Sequence, residues 1–361
     1  MKKILVIFTG GTIGSTISNG SINVDTSSNY RLIEKFYQNS QVSVEFETLQ
    51  SLNILSENCI PADWSKLLQT LKSKNPENKN PENYDGVVIT HGTDTLAYTA
   101  AVIGYVFAGI NIPVVLTASN YALDHPESNG ARNFAGSVEF ICTSNIPGVF
   151  AVFEDEKGKS KVYLATRLTE ADPFNDQFSS FGGIDLGYLE KGVLIENKSV
   201  YNPAMDALMM PKNLPVIHPA VLDHTVFDHD ILAIRPYPGL NYKFFDFEKH
   251  RPRAIVHKLY HSATACVRDG NVSLPGFIDY CAKKDIDFYL TSFKNFDDDF
   301  YVTTRKLLGS DIIPLQNISF EAAVAKLWLA YNSDIRNPED FMKKNIYYEY
   351  LVKSSQERLQ F

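Results

Sequence analysis

Three hydroxyl-rich segments follow apolar runs in the first half of the sequence, and each contains residue types that can carry out nucleophilic chemistry. They are Thr9-Gly10-Gly11-Thr12, Thr90 to Thr95, and Thr117-Ala118-Ser119-Asn120. A threonine hydroxyl is a weak nucleophile until a neighbouring base or a lowered pKa activates it. Thr12, Thr93 and Asp94 therefore form an incomplete set of nucleophile, base and orienting group, in which the activating base is missing.

The glycines of the first segment also allow a nucleotide-binding interpretation, which their spacing does not support. Gly10-Gly11-Thr12-Ile13-Gly14 is not a G-x-G-x-x-G motif, and no clear second strand ends in an acidic residue about 20 positions later. A tight structural turn is the simpler interpretation of this segment alone. Asp94 has a structural alternative as well, because the sequence places it in the first turn of a helix from Leu96 to Ala108, where the helix dipole favours a carboxylate.

The elements that must hold these residues alternate between short apolar strands and longer helical patterns, which is typical of a parallel sheet with crossover helices. The predicted strands are 4–8, 86–89 and 113–116 in the first half and 231–234, 254–256 and 288–290 in the second. The predicted helices include 61–71, 96–108, 273–284 and a final helix at 319–331 that begins with a Ser-x-Glu capping signal. In an open α/β sheet, ligands bind at the carboxyl ends of the strands, so the three hydroxyl-rich segments are expected to line one crevice.

The length of the chain points to more than one domain. At about 150 residues per domain, 361 residues correspond to two domains of ordinary size. We predict an α/β protein with a larger N-terminal domain at 1–197, built on a mostly parallel sheet, a linker at 198–230, and a smaller C-terminal α/β domain at 231–361.

Composition restricts the classes of partner. The 34 Lys and Arg against 42 Asp and Glu give a formal charge of -8, which argues against nucleic acid and against an anionic membrane surface. A small-molecule or peptide partner is expected. The cysteines show no paired metal or disulfide spacing and are expected to be reduced thiols of a cytoplasmic protein; they are Cys59, Cys142, Cys266 and Cys281.

The residues at the first two strand ends resemble the signature motifs of the bacterial-type L-asparaginase family. The matching motifs are Thr9-Gly10-Gly11-Thr12-Ile13 and His91-Gly92-Thr93-Asp94-Thr95. Further matching segments follow in order along nearly the whole chain, namely Leu55 to Trp64, Pro113 to Thr117, Asn129 to Asn133, Tyr237 to Leu240, Leu259 to Ala265 and Glu321 to Leu327. Because both domains match, the resemblance implies a two-domain asparaginase-like fold and an amidohydrolase that works without metal or cofactor.

The resemblance also implies roles for individual residues. In the family, the threonine that matches Thr12 attacks the side-chain amide of the substrate to form an acyl-enzyme, which water then hydrolyses. Thr93 would position the water or a proton path, Asp94 would hold the substrate α-amino group, and Ser56 with its neighbour would hold the α-carboxylate. The loop after Thr12 acts as a lid in the family. The expected substrate-binding residues are Gly11, Ser56, Glu57, Gly92, Ser119 and, as the candidate lid tyrosine, Tyr30.

The sequence departs from the family pattern at position 170. The family has a lysine at the end of a Gly-Thr-Arg-Val-Thr-Lys type segment, where it pairs with the aspartate of the second motif. The matching stretch here is Ala165-Thr166-Arg167-Leu168-Thr169-Glu170, so a carboxylate replaces the ammonium group. A Glu beside Asp94 would place two like charges together, which favours protonation of one of them near neutral pH.

Three interpretations of Glu170 are open. It is the general base for Thr93 or for water, or it binds a cationic group on a larger amine-bearing substrate, or the site has lost activity toward asparagine and is retained for binding. Glu57 also indicates altered specificity, because it stands where many relatives carry Gln or Ser and its charge would repel a free α-carboxylate. The alternative is that the Glu57 side chain is turned to solvent. His91, although it lies inside the second motif, is expected to be structural.

We therefore predict an amidohydrolase that hydrolyses the side-chain amide of L-asparagine or a related amide through a threonine acyl-enzyme, with Thr12, Thr93, Asp94 and Glu170 as catalytic residues. The alternatives are an amidohydrolase of altered specificity for a larger amine-bearing substrate and a catalytically inactive amino-acid-binding homologue. The resemblance implies a homodimer or homotetramer. The related amidotransferase protein that acts on mischarged tRNA is disfavoured, since it carries an extra N-terminal domain and the chain is acidic.

Overall fold

The chain folds into two compact units in a computed structural model that describes residues 1–18, 21–24, 27–74, 84–211, 214, 230–293 and 299–353. For residues 14–18, 21–24 and 27–29 the description is limited to the backbone. The first unit contains the described residues up to position 214 together with Ile346–Tyr348 and 352–353, and the second contains 230–345 together with Glu349–Leu351. The predicted boundaries at 197/198 and 230/231 stay a prediction, because much of the segment between them lies outside the described residues.

The first unit is built on an eight-stranded sheet with the strand order β12-β11-β8-β7-β6-β5-β1-β4. The strands of this sheet are β1 Lys2–Gly10, β4 Val44–Ile54, β5 Gly86–Thr90, β6 Pro113–Thr117, β7 Gly148–Glu154, β8 Ser160–Leu164, β11 Gly187–Glu190 and β12 Val193–Glu196. Two small antiparallel pairs lie outside it. They are β2 Ser15–Ser18 with β3 Ser21–Val24, and β9 Leu168–Thr169 with β10 Ser179–Ser180. Strands β4, β1, β5, β6 and β7 are parallel, whereas β8, β11 and β12 continue the sheet in antiparallel pairs.

Helices connect and cover these strands. The helices described in the first unit are α1 Ser27–Asn39, α2 Pro61–Lys74, α3 Leu96–Val106, α4 Gly130–Ser144 and α5 Met205–Leu208. Every residue of β5 and β6 is buried, which explains why these strands are apolar throughout instead of alternating. The sequence repeats Asn-Pro-Glu-Asn at 75–78 and 80–83, and these residues lie outside the described ones.

The order of the strands reverses beside the two threonine motifs. Strand β1 lies between β4 and β5, so the chain passes from one side of β1 to the other between these two strands. Such a reversal of strand order is a switch point, and ligands in open α/β sheets bind at the carboxyl ends of the strands there. The ends of β1 and β5 lead directly into Thr12 and Thr93.

The second unit is a smaller α/β unit with a four-stranded parallel sheet in the order β13-β14-β15-β16. Its elements are β13 Ile231–Ile234, β14 Ala254–Lys258, α6 Leu274–Ala282, β15 Asp287–Phe293, α7 Val302–Leu308, β16 Ile313–Gln316, α8 Phe320–Asn332 and α9 Pro338–Lys343. Ser319 caps α8 as predicted, since its hydroxyl accepts a hydrogen bond from the Ala322 N–H at 3.0 Å. This helix is not the final one, because α9 follows it with its own Asn337 cap. The predicted α/β class, with a larger mostly parallel N-terminal sheet and a smaller C-terminal domain, is confirmed.

A buried histidine in the second unit makes its stability depend on pH. His257 has no exposed surface, and burial lowers its pKa to about 4. Above the unfolded pKa of about 6.5, the histidine is neutral in both states. As pH falls from there toward 4, only the unfolded chain takes up the proton, so folding stability decreases and the full loss is about 3 kcal/mol.

We expect urea unfolding of His257→Gln to show a correspondingly smaller loss of stability between pH 7 and pH 4.5 than the native chain shows. The comparison subtracts the contribution of all other titrating groups, since both proteins share them. Equal losses in the two proteins over this window would contradict the effect assigned to His257.

Candidate active site

Two glycines let the first motif turn sharply at the end of β1. Gly10 and Gly11 adopt φ values of 107° and 73°, in the left-handed region that favours glycine. A Cβ atom on Gly10 would lie 2.2 Å from the Ile54 carbonyl oxygen, and the Gly11 N–H donates to the same oxygen at 2.8 Å. The turn leads into a short 3₁₀ helix, Thr12–Gly14, so that Thr12 stands half-buried at the carboxyl end of the sheet.

The two motifs and Ser56 meet at their backbones. A Cβ atom on Gly11 would lie 2.4 Å from the Gly92 nitrogen, and one on Gly92 would lie 2.4 Å from the Ser56 Oγ. Only residues without a side chain allow so close an approach. Because Thr12 and Thr93 each follow one of these two glycines, the structure brings the predicted nucleophile and the second threonine to adjoining positions, with the buried Ser56 beside them.

Asp94 is held by the same turn that carries Ser56. The Ser56 hydroxyl donates to the Asp94 Oδ2 at 3.3 Å, and the Thr95 hydroxyl donates to the Ser56 carbonyl oxygen at 2.9 Å. The prediction that Asp94 lies in the first turn of a helix was wrong, because α3 begins at Leu96 and Thr95 occupies the capping position. Asp94 is exposed just before the helix, where its carboxylate faces the Ser56 side. This arrangement leaves Asp94 available to bind a cationic group.

His91 has the structural role expected of it. Its ring is fully buried, with Nδ1 2.8 Å from the Gly92 carbonyl oxygen and Nε2 3.1 Å from the Thr99 hydroxyl. The Trp64 indole N–H donates to the same hydroxyl at 3.0 Å. Burial lowers the pKa of His91, so the ring is neutral at physiological pH and braces the turn that carries Thr93.

Glu170 contacts the helix that follows the second motif. The Tyr98 hydroxyl donates to the Glu170 Oε1 at 2.5 Å, and both side chains are half-buried. Tyr98 lies in the first turn of α3, immediately after Thr93, Asp94 and Thr95. The structure therefore links Glu170 to the helix that directly follows the second motif. A repulsive contact between Asp94 and Glu170 stays a prediction.

The remaining predicted ligands differ in their surroundings. Glu57 is exposed in the 3₁₀ turn Ser56–Asn58, in line with the solvent-facing alternative. Ser119 is buried and donates to the Tyr121 carbonyl oxygen at 2.5 Å, so its hydroxyl is bound within its own loop. Tyr30 lies in α1 with 68% of its surface exposed. Contacts of these three residues with a substrate stay predictions.

Sequence reasoning missed two side chains that form hydrogen bonds to candidate site residues or to their backbone. Thr95 binds the turn of Ser56, and Tyr98 binds Glu170. Both lie within or just after the second motif, so their position was the available signal, but nothing local indicated their partners. Within the described ranges, no group of three or more His, Cys, Asp or Glu side chains is arranged to hold a metal ion.

Comparisons with known proteins find relatives that match nearly the whole chain. The family model described as "Asparaginase, N-terminal" matches residues 3–201. The L-asparaginase of Thermococcus kodakarensis is 26% identical over 349 residues, which cover 95% of this chain and 98% of that protein. Its solved structure, described as a thermostable L-asparaginase, superposes with a TM-score of 0.76 and 25% identity over 97% of this chain and 99% of that chain.

A second type of relative is equally similar in sequence. It is a component of the glutamyl-tRNA(Gln) amidotransferase of Saccharolobus solfataricus, and it is 26% identical over 352 residues, which cover 96% of this chain and 75% of that protein. The alignment thus spans nearly the whole chain in both types of relative.

Proposed function

The chain belongs to the asparaginase family, and from that premise we propose that it is an amidohydrolase acting on the side-chain amide of L-asparagine or a related amide through an acyl-enzyme on Thr12. One observation carries the proposal: the close contact between Gly11 and Gly92, which brings Thr12 and Thr93 to adjoining positions at the switch point of the sheet. A nucleophile and a second hydroxyl held this closely can act on one carbonyl carbon.

The proposed reaction proceeds in two steps. The Thr12 Oγ forms a bond to the amide carbon, its proton passes to the amide nitrogen, and ammonia or an amine leaves as the C–N bond breaks. Water guided by Thr93 then attacks the ester, and its proton returns to the Thr12 Oγ as the acid is released. Glu170 acts as the general base for Thr93 and the water.

Charge and hydrogen bonding support the assignment of the substrate ligands. The Asp94 carboxylate is exposed beside Ser56 and would bind an α-ammonium group. The Ser56 hydroxyl would then turn from Asp94 and donate its proton to an α-carboxylate. Gly11 and Gly92 contribute to the proposed site by having no side chain, since this lets the backbones that precede the two threonines lie in contact.

A second candidate substrate is a larger amide that carries an additional amine. The observation that favours it is the position of Glu170, which stands half-buried beside Tyr98 where the family has a lysine. A carboxylate there would bind a cation that the lysine of relatives would repel. Glu57 is exposed in the Ser56 turn and would add to this negative charge.

The test is hydrolysis of asparagine, glutamine and a panel of N-substituted amides, some with a terminal amine, measured by release of ammonia or amine. We expect turnover of at least one compound, with acyl-enzyme formation detected by mass spectrometry after acid quenching. If no compound is hydrolysed while calorimetry detects binding of an amino acid or amide, the protein is a binder and the hydrolase proposal is wrong. Amide hydrolysis that occurs only with a partner protein would instead favour the amidotransferase type of relative.

We also propose that the chain works as a homodimer or homotetramer in the cytoplasm. Family resemblance supports the assembly, and the free state of all four cysteines, one of which is exposed, supports a reducing compartment. None of the helices within the described ranges combines the length and the apolar character that crossing a membrane would require.

A further inference from the structure

The turn that precedes Glu170 is fixed by buried hydrogen bonds from a remote part of the chain. Residues Ala165–Arg167 form a fully buried 3₁₀ turn. The Thr166 hydroxyl donates to the Tyr347 carbonyl oxygen at 2.5 Å, and the Arg167 Nε donates to the Tyr348 carbonyl oxygen at 2.5 Å. Arg167 also donates to the Tyr201 carbonyl oxygen at 2.9 Å. A guanidinium that is 1% exposed and binds several carbonyl oxygens has no freedom to move.

Helix α3 packs directly on this turn. A Cβ atom on Gly104 of α3 would lie 3.0 Å from the Thr166 Cγ2 and 3.3 Å from the Ala165 Cβ. The glycine thus permits a close approach between the helix and the turn. Because the helix contacts a turn that is held by buried hydrogen bonds, we expect the backbone at Glu170 and the first turn of α3 to keep a constant separation.

Tyr98 spans that separation. Its hydroxyl donates to the Glu170 Oε1 at 2.5 Å, a short hydrogen bond of the charge-assisted kind. Glutamate has several rotatable bonds and would otherwise sample many rotamers, so a strong donor at a fixed place selects among them. The fixed rotamer orients the other carboxylate oxygen as well.

We propose that Tyr98 is a positioning residue that fixes Glu170 for proton transfer, and that this pair, braced by Thr166 and Arg167, takes the place of the lysine found in the family. The inference rests on the proposed function, because it assigns Glu170 a part in amide hydrolysis. Tyr98 itself acts only through Glu170 and does not touch the reacting atoms.

A double-mutant cycle tests the pair on the best substrate of the amide panel. Glu170→Gln should lower kcat by about 10²-fold or more, as expected for loss of a general base. Tyr98→Phe should lower kcat by about tenfold with KM within about twofold, because the hydrogen bond to a charged group is lost while substrate binding is retained. In the Glu170→Gln background, Tyr98→Phe should change kcat by less than about twofold. Equal effects of Tyr98→Phe in both backgrounds would overturn the proposal.

Two controls separate positioning from loss of structure. Tyr37→Phe removes a phenol hydroxyl that donates to the Val44 carbonyl oxygen at 3.0 Å and should leave kcat within about twofold. Glu170→Asp keeps the charge but shortens the side chain, so its kcat should be close to that of Tyr98→Phe and below that of the native protein. Native-like activity of Glu170→Asp would show that charge alone suffices and that no positioning is needed.

A readout without substrate distinguishes failure of this inference from failure of the proposed function. In protein labelled with carbon-13 at the glutamate carboxyl, the Glu170 resonance is identified by its absence in Glu170→Gln. Tyr98→Phe should shift this resonance even if no amide is hydrolysed, in which case only the hydrolase proposal fails. An unshifted resonance would overturn the positioning role whatever the activity.

Discussion

Thr12→Ala is expected to abolish amide hydrolysis, lowering kcat by roughly 10⁴-fold, because it removes the atom that bonds to the substrate carbonyl carbon. The fold should persist, since Thr12 is half-buried and its backbone is held by the two preceding glycines. KM or the dissociation constant of the substrate should change little, because Asp94 and Ser56 are unaltered. Steady-state assays, with calorimetric titration of the same substrate into the variant, measure both quantities.

Thr12→Ser is the matched variant, because it keeps the hydroxyl and loses only a methyl group. It should retain measurable turnover and form an acyl adduct at position 12, which peptide mapping by mass spectrometry locates. An adduct on Thr93 instead would exchange the roles of the two threonines. Unchanged kcat in Thr12→Ala without an adduct on either threonine would remove both from covalent chemistry.

The strand ends that carry these threonines were predictable because their signals are local. The runs at 4–8 and 86–89 are apolar throughout, and each ends in a segment rich in glycine and threonine. Apolar runs of this length are typical of strands covered on both faces, and both lie within buried strands of the sheet. That both ends lie at the same edge of the sheet followed from the parallel arrangement expected of such strands.

The order of the strands and the contacts behind the site were not predictable in this way. The placement of β1 between β4 and β5 depends on which strands pair, and that is decided by packing across the sheet. The hydrogen bond between the Thr166 hydroxyl and the Tyr347 carbonyl oxygen joins residues 181 positions apart, and no pattern in either segment predicts it. The start of α3 at Leu96 agrees with the prediction, but Asp94 does not lie in its first turn, because Thr95 occupies the capping position and its side chain binds the Ser56 carbonyl oxygen.

The role of Glu170 depends on both the sequence and the structure. The resemblance to the family implies a lysine at this position, where the sequence has Glu170. It left open whether Glu170 is a general base, binds a cationic group of the substrate, or belongs to a site that has lost activity toward asparagine and is retained for binding. The structure adds the hydrogen bond from the Tyr98 hydroxyl and the buried turn that precedes Glu170, and these contacts support the proposal that the carboxylate takes part in the reaction.

Gly11→Ala is expected to disable the site through its geometry, without removing any catalytic group. The new Cβ atom would lie 2.4 Å from the Gly92 nitrogen and 2.5 Å from the Gly92 Cα, about 1 Å inside ordinary contact. Both neighbours are backbone atoms, so the two motifs must move apart. A displacement of this size costs about 10²-fold in rate when it separates reacting groups. The φ of 73° adds about 1–3 kcal/mol of strain, which should appear as reduced stability in urea unfolding.

Gly183→Ala separates the clash from the strain. Gly183 has a φ of 71°, nearly that of Gly11, but a Cβ atom there would meet nothing within 4 Å. It should therefore share the loss of stability caused by the backbone conformation and keep kcat within about twofold. If Gly11→Ala lost no more activity than Gly183→Ala, the contact between Gly11 and Gly92 would not be what aligns Thr12 with Thr93. A large loss confined to Gly11→Ala would make that contact the basis of the site, since every group proposed to take part in the reaction would still be present.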